Sequence, residues 1–188
     1  ATITINRPSK LNALTDLTQA EIRHALDCSE RNGKIVGTIL TGAGRGFCSG
    51  VDMGSLTEMS KAGASIRKSY EKLLVDPGNP DNDPNFLSSP AYFLGLRKPL
   101  IAAVNGATAG LGFSYATFCD LRFVDRTAKF ITSFGPRGLI AEHGTSWMLP
   151  RLVGPSNALD LLWTSKQLDA VEALSLIHIS EPTRREYI

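Results

Sequence analysis

The chain opens on a strict alternation, Thr2-Ile3-Thr4-Ile5, which places one apolar row on one side of a strand. After Asn6-Arg7-Pro8 the period changes. Leu17, Ala20, Ile22 and Leu26 recur at helical spacing and predict a helix from about Asp16 to Glu30, ended by Gly33. Ile35 to Leu40 is a short β-branched run that reads as a buried strand, and it empties into Gly42-Ala43-Gly44-Arg45-Gly46-Phe47-Cys48-Ser49-Gly50, too rich in glycine for regular structure. A helical stretch around Ser65 to Leu74 precedes a segment, residues 76–85, in which Pro, Gly, Asn and Asp dominate. That segment predicts a surface loop that borders the functional site.

The same order then returns. Pro99 to Val104 predicts a second apolar strand and Asn105-Gly106 a turn, after which Ala107 to Gly112 leads into a helix through Phe118. Leu121 to Val124 is a third strand. Phe130 to Phe134 and Gly135-Pro136-Arg137-Gly138 precede a helix from about Thr145 to Leu152, closed by Gly154-Pro155. Strands alternating with helices predict an α/β fold with parallel strands. No repeat of solenoid period competes with that reading.

Composition narrows the class. Of 188 residues, 43% are hydrophobic and 20% charged, which suits one globular domain. The formal charge is only +2 and no basic stripe alternates with aromatics, so no nucleic-acid partner is expected. Without an apolar run of roughly 20 residues, no membrane partner is expected either. Cys28, Cys48 and Cys119 are odd in number and widely spaced, which argues against a disulfide framework or a zinc site and for a reducing, cytoplasmic setting. No metal or separate cofactor is expected. The first residues read as the inside of a strand, so further residues are expected upstream.

The residues from Leu174 to Arg184, Leu-Ser-Leu-Ile-His-Ile-Ser-Glu-Pro-Thr-Arg, resemble the in-frame translation of a transposase-type sequencing adapter. The expected organisation is therefore a core domain over residues 1–173 and a non-native tail over 174–188.

Five motifs in order carry a family resemblance: Asn6-Arg7-Pro8-Ser9-Lys10-Leu11-Asn12-Ala13-Leu14; Gly44 to Met53; Lys98 to Gly106 with Ala109-Gly110-Leu111-Gly112; Cys119-Asp120-Leu121-Arg122; and Leu149-Pro150-Arg151-Leu152-Val153-Gly154. Together they resemble the crotonase superfamily of enoyl-CoA hydratases and isomerases, over nearly the whole chain to about Ala173. The resemblance implies a ClpP-like spiral of ββα units, followed in the family by a helical C-terminal region that closes the site and builds trimers or hexamers. That region is expected to be missing from this chain.

Crotonase-type reactions pass through a thioester enolate, whose oxygen must be met by preorganised donors. By resemblance these are the backbone N–H groups of Val51 and Leu111, with Gly50, Gly110 and Gly112 allowing close approach. Leu111 also opens a helix, where free amides favour an anion. A lone glycine loop is usually just a tight turn; two of them in family context are not. A phosphate loop would need a Gly-Lys-Ser/Thr ending, which neither has. Also by resemblance, Lys10 and Leu11 face the pantetheine and phosphates of CoA, and Ser49, Asp52 and Met53 its adenine; CoA is thus part of the substrate. The alternative for Lys10 is a solvated charge.

Family hydratases carry two glutamates that orient a water, and the corresponding positions here are Ser114 and Phe134. Phe134 instead lines the acyl pocket or packs in the core. Glu142, in Gly138-Leu139-Ile140-Ala141-Glu142-His143-Gly144, matches the acidic residue of the family's isomerases. One carboxylate can take a proton from C2 and return it at C4. The alternative is a helix-start charge facing the macrodipole. His143 reads as a residue behind Glu142, Cys48 as packed rather than nucleophilic, and Asp120 as a turn holder. His24 and Cys28 claim no more than packing or exposure. Two rival functions stay open: a hydratase that uses Glu142 alone, and a non-catalytic acyl-CoA- or RNA-binding relative.

Overall fold

The computed structural model describes residues 1–54 and 72–176, and it places eight strands in two four-stranded sheets. Strands β1 (Thr2–Ile5), β2 (Thr38–Gly42), β4 (Leu100–Val104) and β6 (Leu121–Val124) form the first sheet in the order β1-β2-β4-β6, all parallel. The second contains β3 (Gly46–Cys48), β5 (Ala107–Ala109), β7 (Lys129–Ile131) and β8 (Leu168–Asp169) in the order β3-β5-β7-β8. Each turn of chain therefore gives one strand to each sheet: β2 then β3, β4 then β5, β6 then β7. This is the spiral that the family resemblance implies. It brings the ends of β3 and β5, with their glycine loops, side by side.

Helix α1 (Asp16–Arg31) forms where the 3.6-residue pattern predicts it. Thr15 caps it, its hydroxyl accepting from the Thr18 N–H at 3.1 Å, and Ala20, Ile22 and Leu26 are buried. Leu17, counted with the apolar face, instead lies on the solvent side at 45% exposure. Helix α2 (Leu111–Phe118) is buried along its whole length, so no polar face marks it in the sequence. Arg122 closes its far end, one guanidinium nitrogen donating to the carbonyls of Ala116, Thr117 and Cys119. Asp120 does hold a turn, its carboxylate accepting from the Leu100 N–H at 2.7 Å at the entry to β4.

Several boundaries move. The strand read over Ile35 to Leu40 begins only at Thr38, and the glycine-rich segment read as irregular contains β3. The turn after Asn105-Gly106 runs straight into β5, which pairs with β3 and β7. Gly154-Pro155 closes α3 (Thr145–Val153) but also opens α4 (Pro155–Thr164), because proline at a first helical position lacks only an N–H that would be unpaired anyway. β8 is antiparallel to β7, against the all-parallel expectation. α5 (Ala170–Leu176) follows it, with Leu174 and Leu176 partly buried against the core. The helix expected around Ser65 to Leu74 lies largely outside the described residues, as do residues 177–188 of the tail.

The core spans both sheets and the helices, with Leu14, Leu40, Phe47, Tyr115 and Leu149 closed to solvent. Two of the three cysteines are part of it. Burial pushes the Cys48 thiol up to about 12 and the Cys119 thiol higher still, while Cys28 on α1 is exposed.

Candidate active site

The two glycine loops meet at the ends of β3 and β5. Leu14 forms a bridge to the first loop, donating to the Gly50 carbonyl and accepting from the Asp52 N–H, both at 2.8 Å. In that parallel pairing the Val51 N–H points away from Leu14. On the other side stands Gly110, the N-terminal flank of α2, with Leu111 as its first residue. A Cβ on Gly50 would sit 3.1 Å from the Ala109 carbonyl oxygen and 3.6 Å from the Leu111 nitrogen, so the two backbones are in contact. Gly50 has φ +102° and Gly110 φ +50°, conformations that side chains disfavour. Among the described residues neither the Val51 nor the Leu111 amide has an acceptor.

What holds the first loop is a residue to which the sequence reading gave no role. Asn12 is fully buried; its side-chain oxygen accepts from the Arg7 N–H at 2.9 Å, and its amide nitrogen donates to the carbonyls of Ala43 at 2.9 Å and Gly46 at 2.6 Å. One side chain thus ties the loop after β1 to both ends of the β2–β3 connection. The signal available was a polar residue inside the apolar stretch Leu11 to Leu14. Asn12→Ala removes three hydrogen bonds and leaves buried groups unpaired, so it should cost about 3 kcal/mol of stability. A denaturation midpoint that stays at the wild-type value would contradict this.

Around the same loop the predicted CoA residues come together. The Ser49 hydroxyl donates to the Lys10 carbonyl at 3.1 Å and the Ser49 N–H to that of Leu11 at 3.0 Å. Lys10 itself is exposed. The Asp52 carboxylate pairs with Arg7 at 2.8 Å and accepts from the Gly54 N–H at 2.9 Å, so it also serves the loop's own structure. Met53 is 60% exposed, its sulfur 3.9 Å from a guanidinium nitrogen of Arg137.

Glu142 sits in the turn that leads into α3, and its carbonyl accepts from the Thr145 N–H at 3.0 Å. Its side chain is 41% exposed and one carboxylate oxygen lies 3.6 Å from Nε2 of His143. His143 and Gly144 both take left-handed backbone, at φ +55° and +69°, which makes the turn tight. The residues that reach this turn are those just after the segment 76–85. Phe86 packs edge-on against Trp147 of α3 at 6.0 Å, and the Ser89 backbone lies against the His143 ring.

Burial lowers the His143 imidazole below its ordinary 6.5, opposed by the charge of Glu142 and by the Ser89 backbone. A base whose folded pKa is depressed is protonated first in the unfolded chain as pH falls. Its contribution is therefore intact above about 6.5 and turns against folding below that value. His143→Gln should accordingly narrow the stability difference between pH 8 and pH 5.5, read as denaturation midpoints; an unchanged difference would show that other groups set it.

Ser114 and Phe134, which the resemblance sets against the hydratase glutamates, are both buried. The Ser114 hydroxyl lies 2.6 Å from that of Thr145 and donates to the Gly110 carbonyl at 3.3 Å. Phe134 is only 4% exposed, and its carbonyl accepts from the N–H groups of Arg137 and Leu139. Among the described residues no three His, Cys, Asp or Glu side chains cluster as a metal site, and no helix is long and apolar enough to cross a membrane.

The family profile described as enoyl-CoA hydratase/isomerase matches residues 1–178. Over 178 residues, 92% of the chain, the sequence is 35% identical to the 1,2-epoxyphenylacetyl-CoA isomerase of Escherichia coli K12, covering 62% of that enzyme. It is 33% identical over 170 residues, 90% of the chain, to a probable peroxisomal enoyl-CoA hydratase 1 of Arabidopsis thaliana, covering 57% of it. Among solved structures, a putative enoyl-CoA hydratase/isomerase from Acinetobacter baumannii superposes with a TM-score of 0.77 at 31% identity, over 96% of this chain and 69% of that one. The chain spans about three fifths of the length of these curated relatives.

Proposed function

Since the chain belongs to the enoyl-CoA hydratase/isomerase family, we propose that it acts on an enoyl-CoA thioester, shifting its double bond with Glu142 as the single acid/base. The Glu142 carboxylate takes a proton from C2, the electrons move into the thioester carbonyl, and the enolate oxygen is met by the amides of Val51 and Leu111. The protonated Glu142 then returns the proton at C4 as the carbonyl re-forms. Proton and electrons balance without water, metal or redox cofactor. Lys10, Leu11, Ser49, Asp52 and Met53 hold the CoA portion, Gly50 and Gly110 let the thioester approach, and Phe134 backs the acyl side.

The observation that carries this reading is the carboxylate set. Glu142 lies half-exposed in the turn before α3, while the two positions that would activate a water hold a buried serine and a buried phenylalanine. A second reading, hydration of a 2-enoyl-CoA by Glu142 alone, is favoured by the relative named as a probable enoyl-CoA hydratase. A trimer or hexamer for the parent enzyme and a cytoplasmic setting belong to the proposal too, although that same relative is named as peroxisomal. The deciding experiment offers a 3-enoyl-CoA and a 2-enoyl-CoA side by side, with Glu142→Gln as control. Conversion of the 3-enoyl substrate that collapses in the control supports the isomerase. Hydration of the 2-enoyl substrate that survives the control sinks the role of Glu142.

A further inference from the structure

The turn that carries Glu142 and the helix end that carries the Leu111 amide come from distant parts of the chain, yet a hydroxyl pair joins them. Ser114 and Thr145 are both fully buried, with their oxygens 2.6 Å apart. The Ser114 hydroxyl is also within donating distance of the Gly110 carbonyl, at 3.3 Å, and either hydroxyl can supply the proton between the two. Thr145 also gives its backbone N–H to the Glu142 carbonyl at 3.0 Å. The connection runs from Gly110, beside the oxyanion amide, through two hydroxyls to the backbone of the acid/base residue.

We propose that the buried Ser114–Thr145 hydroxyl pair is a positioning device that fixes Glu142 relative to the Val51 and Leu111 amides. The proposal rests on Glu142 being the acid/base. Two left-handed residues, His143 and Gly144, separate Glu142 from α3, so without a tether the turn could rotate on that helix end. A hydrogen bond between buried hydroxyls resists such a shift, because breaking it leaves two polar groups without water. A proton transfer is sensitive to such errors, since a displacement of about 1 Å in a reacting group costs roughly 10²-fold. Neither hydroxyl needs to touch substrate for this. A serine at position 114 then has a use of its own: it takes the place of a water-activating carboxylate and ties the turn of Glu142 to the oxyanion end of α2.

The test compares Thr145→Val, Thr145→Ser and Ser114→Ala, each alone and with Glu142→Gln. Turnover of a 3-enoyl-CoA and exchange of the C2 hydrogen of the acyl-CoA with deuterated water are both followed. Thr145→Val keeps the shape and removes the hydroxyl; it should lower kcat and the exchange rate about 10- to 100-fold with KM within about twofold. Thr145→Ser should recover most of that loss, and Ser114→Ala should reproduce it. With Glu142→Gln present, Thr145→Val should add little, because it acts through Glu142. The proposal is overturned by a Thr145→Val rate within about twofold of wild type, by a change in KM alone, or by a loss that Thr145→Ser does not rescue. A full-sized loss that persists beside Glu142→Gln overturns it equally. Wild-type rates retained by Glu142→Gln itself would fell the acid/base reading first, and absence of C2 exchange in the wild-type chain would fell both. Should Thr145→Val not fold, Ser114→Ala carries the comparison.

Discussion

Glu142→Gln is expected to lower kcat on a 3-enoyl-CoA by about 10²–10⁴-fold, the usual range for loss of a positioned acid/base, with little change in thermal midpoint. The separation of the two effects follows from where the side chain lies. It is 41% exposed and pairs with His143 at 3.6 Å, so little stability depends on its charge. Gln keeps the size and loses the ability to accept and return a proton. KM should stay near the wild-type value, because Lys10, Leu11 and Ser49 lie on another loop. A variant that lost turnover and stability together would instead make Glu142 a structural charge at a helix start.

Gly112→Ala is expected to damage fold and site at once. A Cβ there would stand 2.7 Å from the Cβ of Cys48 and closer still to the Cys48 carbonyl oxygen, which belongs to β3 and cannot rotate aside. Overpacking against backbone costs on the order of 3 kcal/mol or more. The displacement would also part β3 from α2, and with them the Val51 and Leu111 amides. We expect a lowered denaturation midpoint together with slower C2 exchange. Gly33→Ala makes the contrast, since nothing lies within 4 Å of the added methyl, and it should leave both quantities nearly unchanged. Equal effects from the two substitutions would mean that helix–strand contact at Gly112 is not what limits the site.

The first sheet was legible in the sequence and the second was not, for a physical reason. β1, β4 and β6 are four or five residues long, and their apolar content shows in the chain. β3, β5 and β7 have three residues each and β8 two, too few for any period, and glycine breaks the segments around them. They are strands because they pair with one another, Gly46 with Ala107 and Thr108 with Phe130, and those partners are far apart in the chain. α2 betrayed itself only as an apolar run after glycine, since a helix buried on every side shows no stripe. Leu17 shows the opposite error, an apolar residue at helical spacing that lies outside the core.

The site divides in the same way. Glu142, Val51 and Leu111 could be proposed because the motifs that carry the family resemblance single them out. Asn12 lay inside a quoted motif yet its work, joining Arg7, Ala43 and Gly46, depends on three loops meeting in space. The Ser114–Thr145 contact spans 31 positions and involves two residue types common everywhere, so nothing local announces it.

The three cysteines also make the native chain a reporter of its own opening. Cys28 is the one thiol open to solvent, whereas Cys48 and Cys119 are closed off and held protonated. An alkylating reagent should therefore block a single site quickly and the other two only when β3 or the end of α2 comes away from the core. The slow phase at Cys48 times the separation of the strand that precedes Val51 from the helix that begins at Leu111. A chemical clock for the integrity of the proposed enolate-binding edge is thus built into the sequence and needs no added probe.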